Sequence, residues 1–192
     1  MCNDFSNLMQ SEFEMSMMGE LRYFLGLQIK QSENGIFIFQ ENYIKDLLRK
    51  YGMMDAKIIS TPMHPSSSLD KDEQGSDTSE KEYRGMIGSL LYLTSSHPDI
   101  VFSVGLCARF QKNPKESHFS AVKCIFRYLV GTTNVVLWYR KNSDFDLIAY
   151  CDADYAGDKV ERKSISGACH ILGDALTTWS CKKQSTIAFS TT

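Results

Sequence analysis

The C-terminal part of the chain alternates short apolar runs with polar turns, and this pattern limits the fold more than any other part of the sequence. The run LIAYC leads into two acids, Asp152 and Asp154, and then into a turn that contains glycine. Short runs of apolar and β-branched residues between turn residues are typical of strands. From Asn134 onward the sequence therefore predicts strands in four runs: VVLWY, LIAYC, ACHIL and LTTWSC.

The N-terminal part predicts a helix, a hairpin and a second helix. Apolar residues recur at helical spacing over residues 4–14 and again over residues 41–51. Between them, RYFLGLQIK and IFIF flank Asn34-Gly35, a dipeptide that favours a hairpin because both residues tolerate positive φ. Gly52 is suited to a left-handed cap on the second helix.

Residues 53–80 combine STPMHPSSS with DKDEQGSDTSE, and this acidic stretch with few apolar residues predicts a flexible linker. Three helical segments follow, of which the second is expected to begin at Pro98 and the third at Pro114, with Asn113 as its cap. The order of helix, hairpin, helix, linker, helices and strands predicts an α+β chain of at least two units.

Composition excludes several classes of protein. No run approaches the ~20 apolar residues of a membrane span, and the acidic N-terminus lacks the layout of a signal peptide. We therefore expect a cytoplasmic or nuclear protein without a membrane partner. The six cysteines lie within apolar runs and form no Cys-x-x-Cys pair, which predicts reduced, buried thiols. Net charge is −5 over residues 1–97 and +3 over 98–192, consistent with a C-terminal half that faces nucleic acid.

The acids after LIAYC are candidate metal ligands. Magnesium prefers carboxylate oxygens, and two-metal cleavage of a phosphodiester needs several carboxylates around ions ~3.5–4 Å apart. Side chains alternate along a strand, so Asp152 and Asp154 would face the same side, although Asp154 already lies close to the turn. An acidic loop in solvent, with Asp158 as a further member, is the alternative interpretation.

Two features are candidate contacts to nucleic acid. Gly26 interrupts a strand of large apolar residues, which indicates either an ordinary bulge or a close approach of another backbone. The first of these is the commoner explanation for the residues alone. Basic side chains near the acids could contact phosphate, or could simply be exposed to solvent: Arg162, Lys163, Lys182 and Lys183.

Taken together, these tracts resemble the Pol polyprotein of copia-type LTR retrotransposons. The resemblance covers essentially the whole chain, because the characteristic phrases occur in order and at the expected spacing. They are MMGEL, YFLGLQI, NYIKDLLRKYGM, YRGMIGSLLYLT, HPDI, GTTN, CDADYAGD, RKSISG and KKQSTIAFSTT.

The resemblance implies a division of the chain. Residues 1–52 would be the palm-edge helix, hairpin and helix of a reverse transcriptase, and 53–80 the flexible acidic linker. Residues 81–133 would be the thumb and connection helices, and 134–192 an incomplete ribonuclease H-like domain. The implied fold is a palm-edge β-hairpin and thumb/connection helices followed by a truncated, mixed ribonuclease H-like sheet.

The resemblance also implies roles and partners. Phe24, Leu25 and Gly26 match the element that grips the 3′ end of the primer. Asp152 matches the first metal-binding aspartate of ribonuclease H, with Asp154 as the lesser candidate. The intact parent would use magnesium, and its partners would be an RNA–DNA hybrid or primer–template duplex and the remainder of the Pol polyprotein.

Activity is expected in the parent protein and not in this chain. The polymerases of this family carry an adjacent pair of aspartates, and no Asp-Asp pair occurs in the sequence. The further ribonuclease H acids of the family follow a tract like AFSTT, where this sequence stops. We therefore expect a reverse transcriptase/ribonuclease H fragment that catalyses neither reaction. The alternatives are a non-enzymatic nucleic-acid-binding module, a domesticated interaction module, or one piece of an intact enzyme.

Overall fold

The computed structural model of the protein describes residues 1–17, 19–64, 69–141, 144–158 and 160–187. Helices and antiparallel sheets are both present within these ranges, which confirms the α+β class. The elements in chain order are α1 Cys2–Glu12, β1 Tyr23–Phe24, β2 Leu27–Ser32, β3 Gly35–Phe39, α2 Glu41–Lys50, α3 Glu80–Leu93, α4 Val101–Cys107, α5 Glu116–Gly131, β4 Leu137–Arg140, β5 Leu147–Ala153, β6 Lys163–Leu172 and β7 Ala175–Ile187.

The strands form two antiparallel sheets, in the orders β1-β2-β3-β4 and β5-β6-β7. In the β2–β3 hairpin Ser32 pairs with Gly35, so the turn lies one residue earlier than predicted. Gly35 is needed for packing, because a Cβ on it would lie 2.2 Å from Tyr139 O and 2.7 Å from the Trp138 ring.

Strand β4 joins the N-terminal hairpin, where Ile36 pairs with Tyr139 and Phe37 with Trp138. The Phe37 and Trp138 rings also stack, with centroids 4.1 Å apart. The sequence prediction grouped residues 134–192 as one unit, whereas the structure places β4 in the first sheet. This pairing joins residues about a hundred positions apart, which a local pattern cannot indicate.

The main core lies among α2, α3, α4 and α5. In α2 the apolar residues repeat at three- and four-residue spacing, which turns one stripe of the helix inward. The hydroxyl of Tyr83 is buried and donates a hydrogen bond to Cys107 O at 2.7 Å. The buried core residues of these helices include Ile44, Leu47, Leu48, Met86, Ile87, Leu90, Leu93, Val104, Val122, Ile125, Phe126 and Leu129.

The predicted linker makes specific contacts in its described part, which leaves out residues 65–68. Asp77 forms an ion pair with Lys115 at 2.6 Å, and His118 Nε2 lies 2.7 Å from Asp70 O. Leu69 packs against the core. Residues 69–77 therefore lie along the start of α5 and are not a free linker, because their acidic and carbonyl groups find partners on that helix.

Helix α5 begins two residues later than expected. Its first residue is Glu116 and its cap is Lys115, so neither Pro114 nor Asn113 has the predicted role. His118 Nδ1 accepts a hydrogen bond from Lys115 N at 2.9 Å and thereby satisfies one free amide of the first turn.

The six cysteines are free, as predicted, but they are not all buried. Cys107 lies in the core, whereas Cys2 and Cys151 are exposed. Among the helices in the described ranges, none has the length and apolar character needed to cross a membrane.

Candidate functional site

The first candidate site, Phe24–Gly26, is a tight turn between β1 and β2. Leu25 and Gly26 both have positive φ values, +50° and +81°, and Phe24 pairs with Leu27 across the turn. A two-residue turn with positive φ at both positions matches the twist of the strands that it joins. Gly26 therefore forms a hairpin turn, which corrects the expectation of a bulge within one strand.

Tyr92 of α3 holds this turn in place. Its hydroxyl donates a hydrogen bond to Leu25 O at 2.6 Å, and a Cβ on Gly26 would lie 2.1 Å from the same hydroxyl oxygen. Tyr43 of α2 packs edge-on against Tyr92, with ring centroids 4.8 Å apart. Within the chain, the close approach to Gly26 is thus made by Tyr92, which lies in the phrase YRGMIGSLLYLT but had no predicted role.

The side chains at the tip of the turn face solvent. Phe24 is 54% exposed and Leu25 is 78% exposed. Their backbone is already fixed by Tyr92, so a partner that covers them would not need to order the turn first. An exposed apolar tip on a fixed turn is suited to contacting another molecule.

The second candidate site lies at the end of β5. Asp152 is opposite Gly167 in the sheet, and its carboxylate is exposed and accepts a hydrogen bond from the next amide, Ala153 N, at 2.8 Å. Asp152 and Asp154 both line a cavity of about 640 Å³ beside α4. Aromatic residues at this cavity include Phe102, Tyr150 and Trp179.

The carboxylate of Asp154 is used within the protein. Its Oδ1 accepts hydrogen bonds from Ile165 N at 2.7 Å and from Gly157 N at 3.2 Å. A Cβ on Gly157 would lie 2.0 Å from Asp154 Oδ2, so a larger residue there would displace this carboxylate. Asp154 therefore shapes the turn after β5, and Asp152 is the freer of the two carboxylates.

The described residues do not fit a two-metal centre. No group of three or more His, Cys, Asp or Glu side chains in these ranges is placed to hold a metal ion. Asp152 and Asp154 supply two carboxylates, and one of these already accepts two amide hydrogen bonds. Several convergent carboxylates are needed to hold two divalent ions. Asp152 and Asp154 alone do not supply them.

Asp158, which the sequence grouped with these acids, has a different environment. It is only 3% exposed, and its carboxylate lies 3.3 Å from Arg109 Nη1 and 3.2 Å from Lys183 Nζ. Because Arg109 follows α4 and Lys183 is in β7, the buried carboxylate links the second sheet to the helices. Sequence reasoning missed Arg109, which carries no local signal of this contact.

Two of the four predicted phosphate contacts are already paired. Lys163 and Lys183 each donate to Glu161 at 2.6 Å, and these hydrogen bonds, with Lys163 first, lower the pKa of Glu161 to about 2. Arg162 and Lys182 are exposed. The structure therefore brings Lys163 and Lys183 together around Glu161 and leaves Arg162 and Lys182 at the surface.

Helix α3 connects the two candidate sites. Tyr92 binds the Phe24–Gly26 turn, and two residues later Thr94 O accepts a hydrogen bond from Trp179 Nε1 at 2.9 Å. Trp179 lies in β7 and lines the cavity beside Asp152. The end of one helix thus fixes both the exposed turn and the sheet that carries the acids.

The sequence is similar to retrotransposon proteins along nearly its whole length. A family model described as reverse transcriptase (RNA-dependent DNA polymerase) matches residues 1–65. The retrovirus-related Pol polyprotein from transposon RE1 of Arabidopsis thaliana is 40% identical over 190 residues, which are 99% of this chain. The Pol polyprotein from transposon TNT 1-94 of Nicotiana tabacum is 35% identical over 193 residues. This chain belongs to the copia-type retrotransposon Pol family.

The chain spans only a small share of those copia-type Pol polyproteins, 13% of the RE1 protein and 14% of the TNT 1-94 protein. It covers more of a shorter relative, an uncharacterized mitochondrial protein of Arabidopsis thaliana that is 36% identical over 188 residues and is matched over 76% of its length. No solved structure matches the chain significantly.

The two candidate sites differ in how the family comparison covers them. The reverse transcriptase model ends at residue 65 and so includes the Phe24–Gly26 turn and α2. The β5–β7 sheet with Asp152 lies beyond that match, although the similarity to copia-type Pol polyproteins extends over it. The turn therefore has the firmer link to a reverse transcriptase.

Proposed function

We propose that this chain is a fragment of a retrotransposon reverse transcriptase/ribonuclease H that binds primer–template duplex or RNA–DNA hybrid and catalyses neither synthesis nor cleavage by itself. The observation that carries the proposal is the Phe24–Gly26 turn. It is fixed by Tyr92, it exposes apolar side chains, and it lies in the part that matches a reverse transcriptase. The remainder of a Pol polyprotein would be the second partner.

The proposed absence of catalysis rests on the acids of this chain. The sequence contains no adjacent pair of aspartates of the kind expected for the polymerase. In the described part of the second sheet, Asp152 has beside it only Asp154, whose carboxylate accepts two backbone hydrogen bonds. We assign magnesium to the intact parent, where Asp152 would be one ligand among others.

We further propose that the second sheet is part of a ribonuclease H-like unit. The support is the position of Asp152 at the end of a strand, next to an antiparallel partner strand, with an exposed carboxylate. Among the described residues of this region, Arg162 and Lys182 are exposed basic side chains that form no ion pair with an acid there. Lys163 and Lys183 would contact phosphate only by giving up hydrogen bonds to Glu161.

Binding to a fluorescein-labelled RNA–DNA hybrid, followed by anisotropy at low salt, tests the duplex-binding proposal. Tyr92→Phe removes the hydroxyl that holds Leu25 O and should weaken binding roughly fivefold, which corresponds to about 1 kcal/mol. Tyr139→Phe is the matched control, because it removes a similar bond from a tyrosine hydroxyl to a carbonyl, here Leu176 O at 3.1 Å, far along the chain from the turn.

Two results would contradict the proposal. If the wild-type chain does not bind the hybrid even at low salt, the interaction module is the better interpretation. If Tyr92→Phe binds as tightly as Tyr139→Phe, the turn is not the contact surface.

A cleavage assay on the same hybrid with magnesium or manganese addresses the catalytic part. We expect no turnover in either the wild type or Asp152→Asn. Turnover in the wild type that disappears in Asp152→Asn would show that this chain assembles a working centre.

A further inference from the structure

A second polar cavity lies where the predicted linker, the start of α5 and β7 meet. Its volume is about 520 Å³. None of the candidate sites derived from the sequence includes it, apart from Asp158 and Lys183 in its wall. The lining residues are Lys71, Glu73, Arg109, Phe110, Lys112, Asn113, Lys115, Asp158, Val160, Glu161 and Lys183.

Cations outnumber anions around this cavity. Five of the lining side chains are basic and three are acidic. Two of the basic side chains, Lys71 and Lys112, are exposed and form no ion pair with an acid in the described part of the chain. The excess of positive charge is therefore carried by long, exposed lysine side chains at the cavity mouth, which can turn toward an anion.

Arg109 adds a donor at the inner end of the cavity. Its side chain is 19% exposed and pairs with Asp158 at 3.3 Å. The Nη1 atom is buried but makes no hydrogen bond to any acceptor within the described ranges. This Nη1 already faces Asp158 Oδ1 at 3.3 Å, but the contact lacks the geometry of a hydrogen bond, so its donor capacity is unused. A phosphate oxygen would give it a charge-assisted hydrogen bond.

We propose that this cavity binds a phosphate group, with Arg109 as the inner contact and Lys71 and Lys112 as the outer contacts. Arginine matches the geometry of phosphate oxygens, and lysine supplies a compact charge that needs no fixed orientation. A phosphate of a nucleic-acid backbone and free inorganic phosphate share this chemistry. The nucleic-acid source rests on the proposed function, whereas the free-phosphate source does not.

Salt dependence of hybrid binding is the first arm of the test. Each phosphate contact that is lost lowers the slope of log K against log salt by about 0.9. The double variant Lys71→Gln/Lys112→Gln should therefore lower the slope by roughly 2. Both lysines are exposed, so the fold is retained. The matched control is Lys57→Gln/Lys81→Gln, which changes two exposed lysines that do not line the cavity and should leave the slope unchanged.

Thermal unfolding in sodium phosphate, compared with sodium chloride at equal ionic strength, is the second arm. Phosphate should raise the midpoint of the wild type and of the control variant, but not that of Lys71→Gln/Lys112→Gln. Stabilisation by phosphate without hybrid binding would support the cavity and overturn the proposed function. A fall in slope without stabilisation would assign the cavity to backbone phosphates alone. An unchanged slope together with no specific stabilisation would overturn the inference.

Discussion

Replacing Gly26 with alanine tests whether the exposed turn and Tyr92 form one unit. At a φ of +81°, an L-residue loses about 1–2 kcal/mol relative to glycine. The new Cβ would also lie 2.1 Å from Tyr92 Oη and would displace it. Loss of the hydrogen bond to Leu25 O costs about 0.5–1.5 kcal/mol, so Gly26→Ala should lower the free energy of unfolding by about 1.5–3.5 kcal/mol.

A double-mutant cycle separates the two contributions. Tyr92→Phe alone should cost about 1 kcal/mol, because it removes only the hydrogen bond. In the Tyr92→Phe background the hydroxyl is already gone, so Gly26→Ala should cost only the backbone share of about 1–2 kcal/mol. The expected coupling is therefore about 0.5–1.5 kcal/mol, measured by urea unfolding followed by circular dichroism.

Gly88→Ala is the matched control for this cycle. Gly88 lies within α3 and does not have positive φ, and a Cβ added to it would meet no atom of another element within 4 Å. Alanine is favoured over glycine in a helix by up to about 1 kcal/mol, so this variant should be more stable than the wild type. Strict additivity of Gly26→Ala and Tyr92→Phe, within about 0.3–0.5 kcal/mol, would refute the proposed contact.

Three further outcomes are expected. Asp158→Asn should lower the free energy of unfolding at neutral pH by about 2–3 kcal/mol. This loss is smaller than is usual for a broken buried ion pair, because the cationic partners of Asp158 are partly exposed. An unchanged midpoint of urea unfolding would contradict this. The pKa of Glu161 is lowered from 4.5 to about 2, so its ion pairs with Lys163 and Lys183 stabilise the fold fully above pH 4.5 and lose this effect toward pH 2. Glu161→Gln should therefore reduce the fall in the free energy of unfolding between pH 4.5 and pH 2. The same fall in the variant as in the wild type would contradict a role for these ion pairs. Burial raises the pKa of the Cys107 thiol to about 12. Iodoacetamide at pH 8 should therefore modify the exposed Cys2 and Cys151 in the folded protein but Cys107 only in denaturant. Mass spectrometry of the labelled protein measures this difference.

Local patterns predicted those elements that local contacts determine. Helix α2 was predicted within one residue, and Gly52 caps it with a φ of +64° as expected. The β2–β3 hairpin was predicted but its turn was placed one residue late. Gly35 follows the turn as the first residue of β3, where its φ of +153° and the close approach of Tyr139 O from β4 both require glycine.

Non-local pairing explains what the sequence did not predict. In the sequence, β4 is the first of four consecutive predicted strands, which suggested one sheet. In the structure, β4 pairs with β3, where Tyr139 lies opposite Ile36, and not with β5. Asp77 of the predicted linker forms an ion pair with Lys115, and no local pattern in the sequence indicates this contact. Asp154 was expected beside Asp152, but only the fold shows that it accepts amide hydrogen bonds from Ile165 and Gly157.

The end of α3 determines how the two candidate sites are related. Tyr92 and Thr94 face different partners, the exposed turn and Trp179 of β7, although they are only two residues apart. A shift of this helix end would therefore move the Phe24–Gly26 turn and the wall of the Asp152 cavity together.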